Sequence, residues 1–224
     1  MPSDALVLPS PLLGPAAYLP LAAALDEHGV RARVAELPDG PLSPAVVLSA
    51  FVDQLHASGA TTLVAHSNAG YLVPALCAEV PVPVVLVDAA LPLERASTTL
   101  LAPPQFGELL AGLPQEDGLL PPWPLWWDPA DIGPMFPSVD WQRRVTAAAP
   151  RLPAAYFTTP VQVPARWEER PAAYLGFGGT YAAELTFARA AGWPVHVLDG
   201  HHLHLLAEPV ATAQAVLALR ERLA

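Results

Sequence analysis

A stretch near the end of the first third of the chain limits the possible folds more than any other. Residues 61–73 read Thr-Thr-Leu-Val-Ala-His-Ser-Asn-Ala-Gly-Tyr-Leu-Val, a β-branched run that stops at Ser67 and continues into a helix-forming segment. A strand that ends at a serine and turns at once into a helix predicts a sharp turn that exposes the hydroxyl above a sheet. Such turns usually have Gly two residues before and two after the serine. Here Ala65 and Ala69 occupy these positions and Gly70 follows, so the turn remains sterically feasible.

Apolar runs and helical periodicity alternate along most of the chain. We predict strands at 5–8, 30–37, 61–67, 82–87, 172–177 and 195–198, and helices at 16–27, 44–57, 181–191 and 209–223. The continuous β-branched run at 82–87 is typical of a central parallel strand buried on both faces. The alternation predicts the α/β class, with a mostly parallel sheet flanked by helices on both faces.

Residues 93–166 interrupt this alternation. Prolines and aromatic side chains concentrate there, and the strand–helix rhythm returns only afterwards. A chain of 224 residues, 53% hydrophobic, suits one well-buried domain. We therefore predict a single domain over 1–224 with a cap or lid insertion at 93–166.

Composition excludes several other classes of protein. The net charge is −10 and no basic stretch offsets it, which argues against a nucleic-acid partner. The single cysteine, Cys77, excludes an internal disulfide. Residues 1–4 lack the basic start of a signal peptide, and no apolar run reaches the roughly 18 residues of a membrane span. We expect a cytoplasmic protein without a membrane partner. The sequence does not indicate the oligomeric state.

A second cluster of reactive side chains lies near the C-terminus. Residues 199–209 read Asp-Gly-His-His-Leu-His-Leu-Leu-Ala-Glu-Pro, after the last predicted strand and before a helix that starts with proline. With Ser67 upstream, this arrangement resembles the α/β-hydrolases, whose triad runs serine, acid, histidine along the chain. It is most similar to small serine-hydrolase members that begin at the third strand of the family fold. The resemblance covers nearly the whole chain and is weakest in residues 93–166, which would be the family's variable cap.

The resemblance implies a catalytic histidine in this cluster. In the family this histidine commonly follows a glycine and precedes the helix-starting proline by about seven residues. The count to Pro209 favours His202, whereas the preceding glycine favours His201; we rank His202 first. His204 is interpreted as a packing residue. Reading the three histidines as metal ligands would require a second patterned segment, which is missing, so neither a metal nor a cofactor is expected.

The acid of the triad has two candidates. The family usually places it in the loop after the penultimate strand, here 178–181, which has no carboxylate; the nearest is Glu184. Some members carry the acid after the strand next to the serine strand, where this chain has Asp88. A carboxylate at the C-terminal end of a central strand faces the site crevice, although Asp88 could also cap a turn. We rank Asp88 first and Glu184 second.

The resemblance also implies an oxyanion hole made of two backbone amides. One belongs to Asn68, directly after the serine, whose side-chain amide is a further candidate, and the other to the first loop, residues 9–14. Two prolines in that loop have no N–H, which leaves Ser10, Leu12 or Leu13, of which we favour Leu12. His66 is expected to be structural.

The aromatic residues of the insertion suggest an apolar substrate pocket. The candidates are Trp123, Trp126, Trp127, Phe136 and Trp141, which could equally pack the insertion onto the domain. We predict a serine hydrolase or acyl-transfer enzyme that acts on an apolar small-molecule substrate, which is an ester, thioester or lactone. The alternatives are a non-hydrolytic cyclase or lyase of the same fold, and a binding protein without catalysis.

Overall fold

A six-stranded sheet lies at the centre of the molecule. The computed structural model describes residues 4–103 and 106–223, and its strands are β1 (Ala5–Leu8), β2 (Ala32–Val34), β3 (Thr62–Ser67), β4 (Val84–Ala89), β5 (Thr98–Thr99), β6 (Val161–Gln162), β7 (Ala172–Phe177) and β8 (Val195–Leu198). The large sheet has the order β2-β1-β3-β4-β7-β8, and all its neighbouring strands are parallel. Every residue of β3, β4 and β7 is buried, as expected for central parallel strands covered on both faces.

Helices cover the sheet and connect its strands. The α-helices are α1 (Leu19–Glu27), α2 (Pro44–Ser58), α3 (Val73–Glu79), α4 (Phe106–Gly112), α5 (Pro129–Ile132), α6 (Val139–Ala148), α7 (Ala155–Thr158), α8 (Ala182–Ala190), α9 (His204–Ala207) and α10 (Pro209–Glu221). Short 3-10 helices lie at Pro15–Tyr18, Asn68–Leu72, Trp123–Trp126, Gly133–Met135 and Trp167–Glu169. Helix α1 packs against α10, and α2 against α3. The predicted α/β class with a parallel sheet is confirmed.

The bounds of several predicted elements differ from the structure by one or two residues at an end, and those of two elements differ by more. The strand predicted at 30–37 is reduced to β2, because this edge strand pairs with β1 alone over three residues. The helix predicted at 16–27 begins as a 3-10 turn at Pro15–Tyr18 before α1 follows. In both cases the apolar pattern extends beyond the backbone hydrogen bonding that defines the element.

The segment predicted as an insertion, residues 93–166, lies between β4 and β7. Near its two ends, β5 and β6 form a small antiparallel sheet in which Thr98 pairs with Gln162. The part between them carries α4 to α7 and two 3-10 helices. Pro104 and Gln105 lie outside the described residues, as do Met1–Ser3 of the N-terminus and Ala224. Within the described ranges no helix is long and apolar enough to span a membrane.

Candidate active site

Ser67 lies at the turn between β3 and the 3-10 helix Asn68–Leu72. Its backbone has φ 56° and ψ −132°, a conformation that costs energy for a residue with a side chain and that is common at functional sites. Ala65 and Ala69 are fully buried on either side. A Cβ at Gly70 would collide with the carbonyl oxygen of Ala90, so the glycine that follows the usual motif position permits close packing against the end of β4.

Three side chains form a hydrogen-bonded chain at this turn. His202 Nε2 lies 3.0 Å from Ser67 Oγ, and His202 Nδ1 lies 2.7 Å from Asp88 Oδ2. At most 6% of the surface of each residue is exposed. A carboxylate only accepts, so Nδ1 carries the proton and donates to Asp88, which leaves Nε2 free to accept from the serine hydroxyl.

Two further groups hold the carboxylate in place. The second oxygen of Asp88, Oδ1, accepts a hydrogen bond from the amide of Phe177 at the end of β7. Asp88 itself has φ 39°, which is unfavourable for a side-chain-bearing residue. The hydroxyl of Tyr174 stabilises this turn, because it accepts from the Ala89 amide at 3.1 Å and donates to the Ala89 carbonyl at 2.7 Å.

The remaining candidates for base and acid do not enter this hydrogen-bonded chain. His201 Nδ1 is buried and has no hydrogen-bond partner in the described part of the protein, and burial lowers the His201 pKa. The ring of His204 packs 5.2 Å from that of Phe177, as expected for a packing residue. Glu184 lines a neighbouring cavity, where burial raises the pKa of its carboxyl.

The candidate oxyanion donors are arranged around Ser67. Asn68 is the first residue of a 3-10 helix, so its amide has no carbonyl acceptor within that helix. The side chain of Asn68 is engaged elsewhere: Nδ2 donates to the Leu101 carbonyl at 2.6 Å, and Oδ1 accepts from the Tyr156 hydroxyl at 3.0 Å. In the first loop, the Leu12 amide donates to Ser10 Oγ over 3.3 Å, a long bond that is easily exchanged for a better acceptor.

The amides of the other two first-loop candidates are engaged: that of Ser10 donates to the Tyr18 hydroxyl at 2.9 Å, and that of Leu13 is satisfied within the loop. The Leu13 amide donates to the backbone carbonyl of Ser10 at 3.0 Å. Leu12, but not Leu13, also lines the cavity in front of Ser67.

A cavity of about 860 Å³ opens in front of Ser67 and His202. Trp123, Trp126 and Trp127 line it, and the Trp123 ring lies 5.9 Å from the His202 ring. The other two predicted pocket residues are not among the lining residues. Phe136 is buried in the hydrophobic core, and Trp141 packs against that core with the Arg144 guanidinium 5.6 Å from its ring.

Sequence reasoning missed several tyrosines that contact the site. Tyr174 supports the turn at Asp88, and Tyr18 binds the ring of His66. Tyr181 lines the cavity with its hydroxyl beside Ser67 and its ring 5.5 Å from His202; burial raises the pKa of this hydroxyl. Apolar periodicity treats a tyrosine as a core residue, so the sequence carries no signal for these hydroxyl contacts. Among residues 4–103 and 106–223, no three His, Cys, Asp or Glu side chains group in a way that could hold a metal ion.

No protein-family profile and no curated protein sequence matches the chain. Solved structures match over nearly its whole length. A pyrethroid hydrolase, PytH, has a TM-score of 0.70 at 16% identity and covers 99% of this chain and 98% of its own. An extracellular α/β-hydrolase from a Paenibacillus species, described as homologous in structure and function to tobacco salicylic acid binding protein 2, has a TM-score of 0.69 at 14% identity, over 96% and 98% of the two chains.

A third similar structure is the Vlm2 thioesterase domain bound with a dodecadepsipeptide. Its TM-score is 0.58 at 16% identity, and the match covers 96% of this chain and 94% of that one. These likenesses establish that the chain has the α/β-hydrolase fold. Identities this low carry the fold alone, so the function is argued from the site.

Proposed function

We propose that the chain is a serine hydrolase or acyl-transfer enzyme that acts on an apolar ester, thioester or lactone. The observation that carries this proposal is the hydrogen-bonded series from Asp88 through His202 to Ser67 Oγ, with distances of 2.7 and 3.0 Å, beside a cavity of about 860 Å³. A nucleophile, a base and a group that orients the base are the requirements for acyl transfer through serine.

The proposed reaction has two halves. Ser67 Oγ attacks the substrate carbonyl carbon while His202 Nε2 takes the hydroxyl proton, and the resulting oxyanion accepts hydrogen bonds from the amides of Asn68 and Leu12. When the tetrahedral intermediate collapses, the carbon–leaving-group bond breaks and His202 returns the proton to the leaving group. Water, or another acceptor hydroxyl, then attacks the acyl carbonyl carbon while His202 Nε2 takes its proton. The bond between that carbon and Ser67 Oγ breaks, and His202 returns the proton to Oγ. Asp88 orients the imidazole and stabilises its protonated form.

The cavity supports the choice of substrate class. Its walls include the indoles of Trp123, Trp126 and Trp127, together with Phe106 and Phe157, and ligand sites of this kind hold apolar groups. Two of the similar structures are a pyrethroid hydrolase and a thioesterase domain, which favours an activated acyl group over an amide. The substrate is therefore proposed to place an apolar acyl or alcohol portion beneath the insertion.

A fluorophosphonate probe, which phosphonylates activated serines, tests the nucleophile. We expect the wild type to gain one phosphonyl group at Ser67, and Ser67→Ala and His202→Ala to remain unlabelled although folded. Ser49→Ala and His196→Ala are matched controls, since both residues are exposed and neither lines the cavity in front of Ser67; they should label like the wild type. A folded wild type that neither labels nor hydrolyses p-nitrophenyl butyrate would support a binding protein instead.

Two measurements separate the remaining possibilities. Asp88→Asn should lower kcat by roughly 10³–10⁴-fold because the imidazole then takes the wrong tautomer, a loss far larger than that of Glu184→Gln. The reverse order would make Glu184 the acid. Turnover in ¹⁸O-water should place one label in the acid product, whereas an isomerised or eliminated product without label would indicate a cyclase or lyase.

A further inference from the structure

The cavity beside the proposed triad has two chemically different groups of lining residues. The insertion contributes apolar side chains: Phe106, Trp123, Trp126, Trp127, Ile132 and Met135. A second, polar group comes from the turn after Ser67 and from the start of α8. It consists of Tyr71, Tyr181 and Glu184, which are close enough to influence one another's ionisation. The cavity is therefore suited to a substrate with one apolar and one polar part.

All charged side chains that line this cavity in the described part of the chain are carboxylates. They are Glu94, Asp131 and Glu184. The chain has no lysine, and its arginines do not line the cavity. Glu94 and Asp131 are exposed, whereas Glu184 is half-buried. A substrate that enters this cavity meets negative potential that no cationic side chain on the lining offsets.

Glu184 differs from the other two carboxylates in its surroundings. Burial is the main reason why its pKa is raised, and the charge of Asp88 acts in the same direction. The backbone amides of Glu184 itself and of Leu91 act in the opposite direction on this pKa, and Leu91, shortly after β4, lines the same cavity as Glu184. The hydroxyl of Tyr71 is its neighbour, and the pKa of Tyr71 is raised to about 12 by burial and by this charge.

Glu184 makes no ion pair with an arginine or histidine side chain among residues 4–103 and 106–223. The amides of Leu91 and Glu184 replace part of the water that this half-buried carboxylate loses, but no cationic side chain offsets its charge. A positive group on a bound ligand would restore that partner, and the rings of Tyr71 and Tyr181 beside it would add a favourable face for a cation.

We propose that Glu184 is a specificity-determining residue that binds a cationic group of the substrate, so that the enzyme prefers apolar esters bearing a quaternary or protonated amine and disfavours anionic ones. This inference rests on the hydrolase function proposed above. A contact between this half-buried carboxylate, the neighbouring aromatic rings and a cation corresponds to roughly a 10-fold preference over a neutral isostere. Acyl carriers that bear phosphate groups fall in the disfavoured class, because no arginine or lysine lines the cavity.

The test uses p-nitrophenyl esters of equal chain length that end in trimethylammonium, its neutral isostere tert-butyl, or sulfonate. In the wild type, kcat/KM should fall in that order. Glu184→Gln should reduce the ratio of the trimethylammonium to the tert-butyl ester by up to about 10-fold, because the variant loses the ion pair. Glu221→Gln, an exposed carboxylate on α10, should leave the ratio unchanged. Equal ratios in the wild type and Glu184→Gln would overturn the proposal.

Two further arms identify the cause of any selectivity. Glu94→Gln and Asp131→Asn should change the ratio less than Glu184→Gln; an equal change would assign the preference to the general potential of the cavity and overturn the role of Glu184. Binding to Ser67→Ala, measured with methyl ketone analogues that carry the same three end groups, does not require catalysis. Cation-selective binding without hydrolysis of any ester would refute the proposed function and retain the cation site. Hydrolysis of all three esters at equal rates would support the proposed function and refute the cation site.

Discussion

The backbone carbonyl of His202 accepts a hydrogen bond from the side chain of His66, whose Nε2 lies 3.0 Å from the carbonyl oxygen. A carbonyl only accepts, so Nε2 carries the ring proton, and Nδ1 accepts from the Tyr18 hydroxyl at 2.8 Å. That hydroxyl in turn accepts from the Ser10 amide at 2.9 Å. The ring of His66 stacks on that of His202 at 4.6 Å. The first loop, the serine strand and the histidine loop are thus joined through one buried imidazole.

Replacement of this imidazole should affect both stability and turnover. His66→Phe leaves the Tyr18 hydroxyl without an acceptor and the His202 carbonyl without this donor, which should cost about 2–4 kcal/mol of unfolding free energy. It should also lower kcat, because the loop that presents His202 loses its anchor. His66→Gln, whose amide both donates and accepts, should recover part of each loss. Urea unfolding and hydrolysis of p-nitrophenyl butyrate measure the two effects, with the exposed His56→Gln as control. An unchanged kcat in folded His66→Phe would contradict the anchoring role.

His66 should also make stability depend on pH. Burial, and then the neighbouring His202, hold the pKa of His66 well below its ordinary value of 6.5. As the pH falls below about 6.5, the unfolded chain takes up a proton at this residue and the folded chain does not. Stability should therefore decrease with acidification, by up to about 1.4 kcal/mol per pH unit from this residue.

The comparison with His66→Gln isolates this contribution. His201, whose pKa is also lowered, acts in the same direction in both proteins and cancels from the difference. Urea midpoints between pH 8 and 5 should fall more steeply for the wild type than for the variant. Parallel curves would show that His66 does not resist protonation.

Tyr174 should be required for the geometry of Asp88. Tyr174→Phe removes both hydrogen bonds that the hydroxyl makes to the buried Ala89 backbone, where the preceding residue has an unfavourable positive φ. We expect a loss of about 2–4 kcal/mol together with a lower kcat, measured by thermal unfolding and ester hydrolysis. Tyr156→Phe, which removes one hydrogen bond to a side chain, is the comparison and should destabilise the fold less. Equal losses would indicate that only packing is affected.

Gly70 is predicted to tolerate no side chain. Its Cβ would overlap the Ala90 carbonyl oxygen, which belongs to the backbone and cannot rotate away. Gly70→Ala should destabilise the fold by roughly 1–3 kcal/mol and displace the turn at Ser67. Gly112→Ala at the end of α4, where nothing lies near the new methyl group, is the matched control and should be neutral or slightly stabilising. Chemical denaturation measures the unfolding free energy of both variants. A Gly70→Ala variant as stable as the wild type would refute the close approach of Gly70 to the Ala90 carbonyl oxygen.

The sequence predicts the sheet well because the residues of buried parallel strands form continuous apolar runs in the sequence. The predicted bounds of the fully buried strands β1 and β7 agree with the structure, as do those of the more exposed edge strand β8, and the α/β-hydrolase fold is confirmed. The edge strand β2 is shorter than predicted. The alternation of apolar and polar residues indicates which side chains face the core, and not which backbone amides are hydrogen-bonded to a neighbouring strand. The ends of strands also bring the candidate site together, because Ser67 and Asp88 lie at the C-terminal edges of neighbouring strands.

Other features depend on distances between residues in the folded chain, which the pattern of residues along the sequence does not contain. The choice of the acid depends on which carboxylate reaches the His202 imidazole in the folded chain. Asp88 precedes His202 by more than a hundred residues and Glu184 lies close to it in the sequence, so a ranking by family position does not decide between them. The aromatic residues of the insertion have similar sequence surroundings, yet Trp123 lines the cavity and Phe136 lies in the core. The hydrogen bonds of the tyrosine hydroxyls likewise cannot be predicted from hydropathy, because hydropathy contains no distances between residues.

The side chain of Asn68 should govern how firmly the insertion is held over the site. It bridges the turn after Ser67 to Leu101 and Tyr156, both of which belong to residues 93–166. Asn68→Ala removes both hydrogen bonds but keeps the backbone amide proposed for the oxyanion. Asn68→Asp turns an oxygen toward the Leu101 carbonyl and keeps an acceptor for Tyr156. We expect KM to rise in both variants, with a smaller change in kcat, because the insertion lines the binding cavity.

Limited proteolysis and steady-state kinetics test this anchoring together. Cleavage within residues 93–166 should be faster in Asn68→Ala than in the wild type, and Tyr156→Phe, which loses one of the two hydrogen bonds, should be intermediate. If kcat instead falls while KM and the cleavage rate stay constant, the amide of the side chain acts on the transition state and not on the insertion. In that case Asn68 would supply an oxyanion donor from its side chain as well as from its backbone.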